Sequence, residues 1–371
     1  MNISSLKNIF FTLGFVLLPF YFRASGTLQI SQLLLFIIAI IEIIEAKLKN
    51  NHKIEICILF LLFLVMFCSL MQVIFKNSNL YFDDLVFLFF NLIIVLGLTH
   101  FFSKLNFKLF GLLFVICPIL VLIYTVLSTP ALSVEGLAEI GRPKGPFNNP
   151  NQLGYYSVCS MSILYLTFKY ILIDKKKLQF ILYTIVFLIS IYSLSKAAII
   201  SNLFFILIWT SLNLRGFLLF FACFAIYKFD FFMNFLSSED NVLINRFSNA
   251  LEENDSSLEA RGYILYDDVL EFFFGIGSHK LNTILGHEVH STFAHFFMTY
   301  GFFAGCLFLY VIFLWAKKIS LQWGFLSLFF VLFPAILYGF SHNGSRFIFF
   351  WVLFSFSLGL TRKEQLLSKY V

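Results

Sequence analysis

Runs of about 17 to 25 apolar residues, the length that crosses a bilayer as a helix, recur along most of this chain. In hydrocarbon a backbone must satisfy its own N–H and C=O groups, so segments of this length have helix as their available structure. About twelve can be marked: near Ile9–Phe22, Leu28–Ile44, Ile54–Phe75, Leu80–Phe101, Phe107–Leu127, Leu153–Ile173, Phe180–Leu194, Ala197–Leu212, Gly216–Phe229, Ser291–Trp315, Leu321–Phe340 and Phe347–Leu360. Composition points the same way. Of 371 residues, 60% are hydrophobic, only 12% are charged and 54 are Phe, far from the make-up of a soluble domain. The expectation is an all-α polytopic membrane protein, with residues 1–371 forming a single integral membrane domain.

The first run lacks a small-residue cleavage site and leads directly into Phe22-Arg23 and a second run, so it reads as a retained span rather than a leader. All six cysteines fall inside proposed spans without metal-ligand spacing. They read as small apolar packing residues. Orientation follows from the cations, which concentrate on cytoplasmic loops. With both termini inside, most of the 26 Lys and Arg lie on inner loops, whereas Asp83, Asp84, Glu135, Glu139 and the acidic residues from Glu239 to Glu288 fall outside. The net charge of +6 is then a topology signal and does not imply nucleic-acid binding.

Most connections are short, as in a compact helical bundle. Two outer loops are not. The first, Ser128–Gln152, carries Gly141-Arg142-Pro143-Lys144-Gly145-Pro146-Phe147-Asn148-Asn149-Pro150-Asn151. Spanning a membrane does not require this cluster of turn formers, amides and cations, which offers donors suited to sugar hydroxyls and phosphates. The second is a large periplasmic or extracellular loop over about residues 230–290. Within it Ser256 and Glu259 form a capping-box pattern that predicts an amphipathic helix to about Phe273. Leu258, Leu265, Val269 and Phe272 would share its apolar face, Arg261 would point inward, and Gly275-Ile276-Gly277-Ser278 would end it.

Arg261 reads either as a helix-surface cation paired with Glu259 or Asp268, or as a planar, always-charged ligand for a leaving diphosphate. His290 lies in His287-Glu288-Val289-His290-Ser291-Thr292-Phe293-Ala294-His295. It reads either as an interfacial helix-start histidine or as a base for an attacking sugar hydroxyl. His287, His290 and His295 cannot share a helix face, and no Cys or paired acid completes a metal site, so no metal or cofactor is expected. Lys196 either snorkels or joins Arg142, Lys144 and Arg261 in a cationic funnel. Asn149 and Asn151 are candidate glycan contacts, and the last outer turn adds His342 and Arg346 as candidate acceptor contacts. Asp83-Asp84 and Asp267-Asp268 read as solvated charge, because adjacent carboxylates on a helix diverge.

Four features in order resemble the O-antigen polymerase/ligase superfamily of bacterial membrane glycosyltransferases. They are the Gly145–Asn151 loop before a span, Ser195-Lys196-Ala197, Ser257-Leu258-Glu259-Ala260-Arg261 leading to Gly275-Ile276-Gly277, and His290-Ser291-Thr292-Phe293. The resemblance covers roughly the second two-thirds of the chain. It implies a C-type glycosyltransferase-like fold of about twelve transmembrane helices in the bacterial cytoplasmic membrane, with the active face periplasmic or extracellular. It also implies functional roles at Arg261, Lys196 and His290. Lys196 stands where the family usually has Arg, and so supplies charge without a fork. The implied reaction moves an oligosaccharide from undecaprenyl diphosphate to an acceptor sugar hydroxyl without metal, and a chain-length regulator is a possible partner.

If the acceptor is the next carrier-linked repeat unit, the chain is a polymerase; if it is lipid A-core, the chain is an O-antigen ligase. The loop size and the hairpin departure favour the polymerase. The rival from another class is a transporter of lipid-linked glycan or solute, which would carry polar sites near mid-bilayer. Glu42, Gln72 and Asn91, the intramembrane candidates, do not cluster in sequence.

Overall fold

A computed structural model describes residues 3–23, 27–46, 53–76, 82–129, 142–172, 175–211 and 258–367. Its regular structure is helical throughout, with no strand among the described residues. The first eight helices are α1 (Ile3–Leu17), α2 (Ile30–Glu45), α3 (Lys53–Lys76), α4 (Phe82–Lys104), α5 (Phe107–Ser128), α6 (Pro150–Tyr170), α7 (Lys176–Tyr192) and α8 (Lys196–Ser211). Beyond a 3-10 turn at Glu259–Arg261 come α9 (Val269–Phe274) and α10 (Ser278–Leu285). A helical turn at Thr292–Ala294 then passes into a π turn at His295–Thr299. The chain ends with α11 (Phe302–Trp323), α12 (Ser327–Val331), α13 (Phe333–Ser341) and α14 (Ile348–Leu367). Four of these helices, α3, α4, α5 and α11, are long and apolar enough to cross a membrane. The apolar segment Gly216–Phe229 lies outside the described residues, as do Ser256 and Ser257.

Where apolar runs break, backbone chemistry gives the reason. The run Ser291–Trp315 is interrupted before α11 at Gly301, whose φ is +86°. A Cβ there would lie 2.4 Å from the Phe273 carbonyl oxygen, and one at Gly275 would lie 2.2 Å from that of Thr299. Two glycines thus let two backbones touch, and the Ile276 amide donates to the Met298 carbonyl at 2.7 Å. The run Leu321–Phe340 is divided at Gly324 (φ +81°) and again before Pro334, which sits in the first turn of α13.

The predicted loop helix is corrected in its described part. Gly262, at φ +95°, ends the 3-10 turn directly after Arg261. Helix resumes only at α9, whose N-cap Asp268 accepts from the Glu271 amide at 2.7 Å. Asp268 is therefore a cap rather than merely solvated charge.

At the centre α4 packs between α2 and α14. A Cβ at Gly97 would fall 2.2 Å from the Ala39 Cα, and one at Gly359 would fall 2.4 Å from the Phe102 Cβ, so small residues bring all three helices close. Phe11, Phe101, Phe102 and Phe110 fill the space around them in tilted and edge-on contacts with centroids 4.9 to 5.6 Å apart. The three isolated polar residues of the apolar runs tie elements together. Glu42 is buried between Lys7 at 2.5 Å and Lys104 at 2.7 Å. Gln72 donates to the Phe274 and Thr299 carbonyls, each at 2.6 Å, and Asn91 to the Ser345 carbonyl at 3.0 Å.

Asp84, near the start of α4, pairs with Arg346 at 3.3 Å. Lys104 ends the same helix in the Glu42 cluster. About 20 residues at 1.5 Å each separate these charges by about 30 Å along the axis, the thickness of a hydrocarbon core.

Candidate functional site

The Asp84 end of the bundle gathers the polar segments. The Asn149-Pro150-Asn151 sequence proves to be a helix start: extended Asn149 accepts from the Asn151 amide at 2.8 Å, and Pro150 opens α6. Arg142 reaches back to donate to Asn151 Oδ1 at 3.2 Å and to the Ser193 carbonyl at 2.9 Å, joining this loop to the α7–α8 hairpin. Tyr338 of α13 completes the junction. Its hydroxyl donates to the Asn151 carbonyl at 2.8 Å and lies 3.4 Å from Ser195 Oγ. Leu194 between them has φ +51°, a left-handed backbone that is uncommon outside glycine. Lys196 opens α8 half-buried. A cation at a helix N-terminus opposes the macrodipole, a placement that helix stability alone does not favour.

Arg261 points inward although its helix is only one turn. Its guanidinium donates to the Ser341 carbonyl at 2.9 Å. Its own carbonyl receives the Ser291 amide at 3.2 Å, and the Tyr263 and Ser291 hydroxyls meet at 2.7 Å. The 258–263 segment is thereby fastened beside His290. The His290 ring stacks on His287 with centroids 4.4 Å apart and planes within 4°, and Ser291 caps the turn that follows.

His342 is the point on which these groups converge. Its ring lies 4.6 Å from that of Tyr338, and its carbonyl accepts from the Thr292 hydroxyl at 2.9 Å. Burial, reinforced by the charges of Arg261, His290 and Arg142, pushes its pKa down to about 3. The imidazole is neutral at any physiological pH.

Beside it opens a cavity of about 340 Å³. Asn149, Asn151, His290, His342 and Arg346 line it, with aromatic walls from Tyr21, Phe87, Tyr155 and Phe347. Amides and imidazoles between flat aromatic faces suit a polyhydroxylated ligand. Arg142, Arg261 and Lys196 are not among the lining residues. The charges of the first two act on His342, which does line the cavity. Lys144 is exposed in its loop and also does not line the cavity.

The sequence reading assigned no role to Glu288, which lines the cavity with Gln152 and Asn343 of the two polar segments, and misjudged Asp84. Asp84 is buried rather than solvated. Arg346 joins it at 3.3 Å to Glu288 at 2.7 Å, with the guanidinium 5.3 Å over the Phe87 ring. The one sequence signal for this arrangement was a cation and two acids flanking apolar runs; the Asp84–Arg346 pair joins residues more than 200 positions apart. His295 is buried, its ring edge-on to Tyr300 at 5.4 Å. Among the described residues, no three of His, Cys, Asp and Glu form a set able to hold a metal ion.

No protein-family model matches this chain, and no curated protein matches it either.

Proposed function

We propose that this chain is a membrane glycosyltransferase of the O-antigen polymerase/ligase type. It polymerises undecaprenyl-diphosphate-linked oligosaccharide repeat units on the outer leaflet of the bacterial cytoplasmic membrane. On this reading about twelve helices span the membrane, both termini are cytoplasmic, and the cavity opens to the periplasmic or extracellular side. A lipid-bound diphosphate is already an activated leaving group, so no nucleotide is needed. Arg261 and Arg142, with Lys196 at the adjoining hairpin, neutralise the diphosphate as its bond to the sugar breaks, while His290 faces the reacting sugars. The observation that carries this reading is the cavity lined by Asn149, Asn151, His290, His342 and Arg346 between aromatic walls, with Arg142 bonded to Asn151 and Arg261 to the Ser341 carbonyl beside it.

The test is genetic. Cells lacking the gene are complemented with wild type, Arg261→Ala or His290→Ala at matched membrane expression, and surface glycan is resolved by gel. The expected result is single repeat units on the lipid core after deletion, and no ladder with either variant. Loss of all core-attached glycan while long carrier-linked chains accumulate would make the chain a ligase. A normal ladder after deletion would overturn the glycosyltransferase reading.

A further inference from the structure

Among the described residues, Glu288 is the only carboxylate lining the cavity, two positions from His290. Its side chain is 61% exposed, with Oε2 held 2.7 Å from Arg346 Nη1. Arg346 is itself fixed from behind by buried Asp84, 3.3 Å from its Nε, and from one face by the Phe87 ring. An ion pair this open to solvent adds little stability, yet a buried carboxylate and an aromatic face hold its arginine in place. The arrangement supplies orientation. With Oε2 engaged by the guanidinium, the carboxylate keeps a second oxygen on a side chain that lines the cavity.

Transfer of a sugar to a hydroxyl needs a group to take the hydroxyl proton. Buried His342 disfavours the added positive charge, and the cavity wall carries the Glu288 carboxylate two positions from His290. We propose that Glu288 is the catalytic base that accepts the proton of the acceptor sugar hydroxyl, with Arg346 and Asp84 as its positioning residues. The proposal rests on the glycosyltransferase reading above. In the step, the acceptor oxygen bonds to the anomeric carbon as the bond from that carbon to the diphosphate oxygen breaks. The electron pair leaves with the diphosphate, and the proton passes to the Glu288 carboxylate.

The experiment uses the purified full-length chain in nanodiscs. The probe is the polyprenyl-diphosphate oligosaccharide pool extracted from cells lacking the gene, and both turnover and binding of that pool are measured. Glu288→Gln keeps shape and hydrogen bonding but cannot take a proton, so turnover is expected to fall about 100-fold or more with binding unchanged. Glu288→Asp is expected to recover part of the rate. Asp84→Asn should lower turnover per binding-competent molecule, counted by saturation binding of the pool, whereas general loss of fold would lower binding and turnover together. Wild-type turnover with Glu288→Gln within about threefold of it would overturn this proposal and leave the proposed function standing. A wild-type chain that binds the pool but never extends it would overturn both.

Discussion

His342 shows how a sequence motif acquires a physical state only in the fold. An ordinary histidine titrates near 6.5, but here burial and the neighbouring cations hold the value at about 3. As pH falls below about 6.5 the unfolded chain binds this proton before the native one does, so stability is undiminished above that pH and is lost progressively toward about 3. His342→Gln should therefore lose less thermal stability than wild type between about pH 7 and pH 4, as read from melting transitions in detergent. A second residue-scale prediction concerns Gly344, where an added Cβ would lie 2.1 Å from the Tyr155 hydroxyl oxygen. Gly344→Ala must displace that cavity wall. An overpacking penalty of about 1–3 kcal/mol is expected, visible as a lowered melting temperature and a weakened glycan ladder. His290, His342 and the Asn-Pro-Asn sequence were visible as polar exceptions beside apolar runs. Glu288 and Asp84 were not, because an acid at the end of a span looks the same in sequence whether water or a buried arginine faces it.

At the scale of elements, the segment after residue 258 shows where periodicity misleads. Leu258, Leu265 and Val269 recur at helical spacing, yet they are 70%, 89% and 68% exposed, so their pattern reports no buried face. The better signal was Gly262, which takes a left-handed conformation and stops the turn one residue after Arg261. Helices α1, α2 and α4 give the opposite lesson, since Glu42 looked like an isolated intramembrane acid. In the fold it holds Lys7 and Lys104 together. Glu42→Gln leaves the buried Lys7 ammonium with only Glu45, at 2.8 Å, and should destabilise the protein by about 1–3 kcal/mol. Lys104→Ala, at the more exposed partner, should cost less. Comparing the two thermal unfolding transitions tests whether Glu42 joins these helices.

For the whole molecule, the apolar runs anticipated an all-helical fold and the four long helices α3, α4, α5 and α11, because hydrocarbon-length segments have few structural options. Which segments share an end of the bundle was less accessible. It depends on long-range bonds such as Asn91 to Ser345 and Tyr338 to Asn151. The proposed topology makes those ends chemically distinct. In intact spheroplasts, Asn343→Cys should react with a membrane-impermeant maleimide, whereas Lys104→Cys should react only after permeabilisation. Reaction of both from outside would refute the assigned orientation.

The two charge clusters along α4 have a consequence for where a substrate must sit. Asp84 and Arg346 lie at one end and Lys104 and Glu42 at the other, and the half-exposed Lys104 and the Glu288 carboxylate paired with Arg346 would lose their hydration if drawn into hydrocarbon. On the proposed topology the helix is thereby pinned in depth, and the cavity mouth is held level with one headgroup plane. A lipid carrier would present its phosphates at that same level while its tail stays in the leaflet. Catalyst and lipid-borne reactant would then meet by lateral diffusion in two dimensions, with no need to lift the carrier out of the membrane.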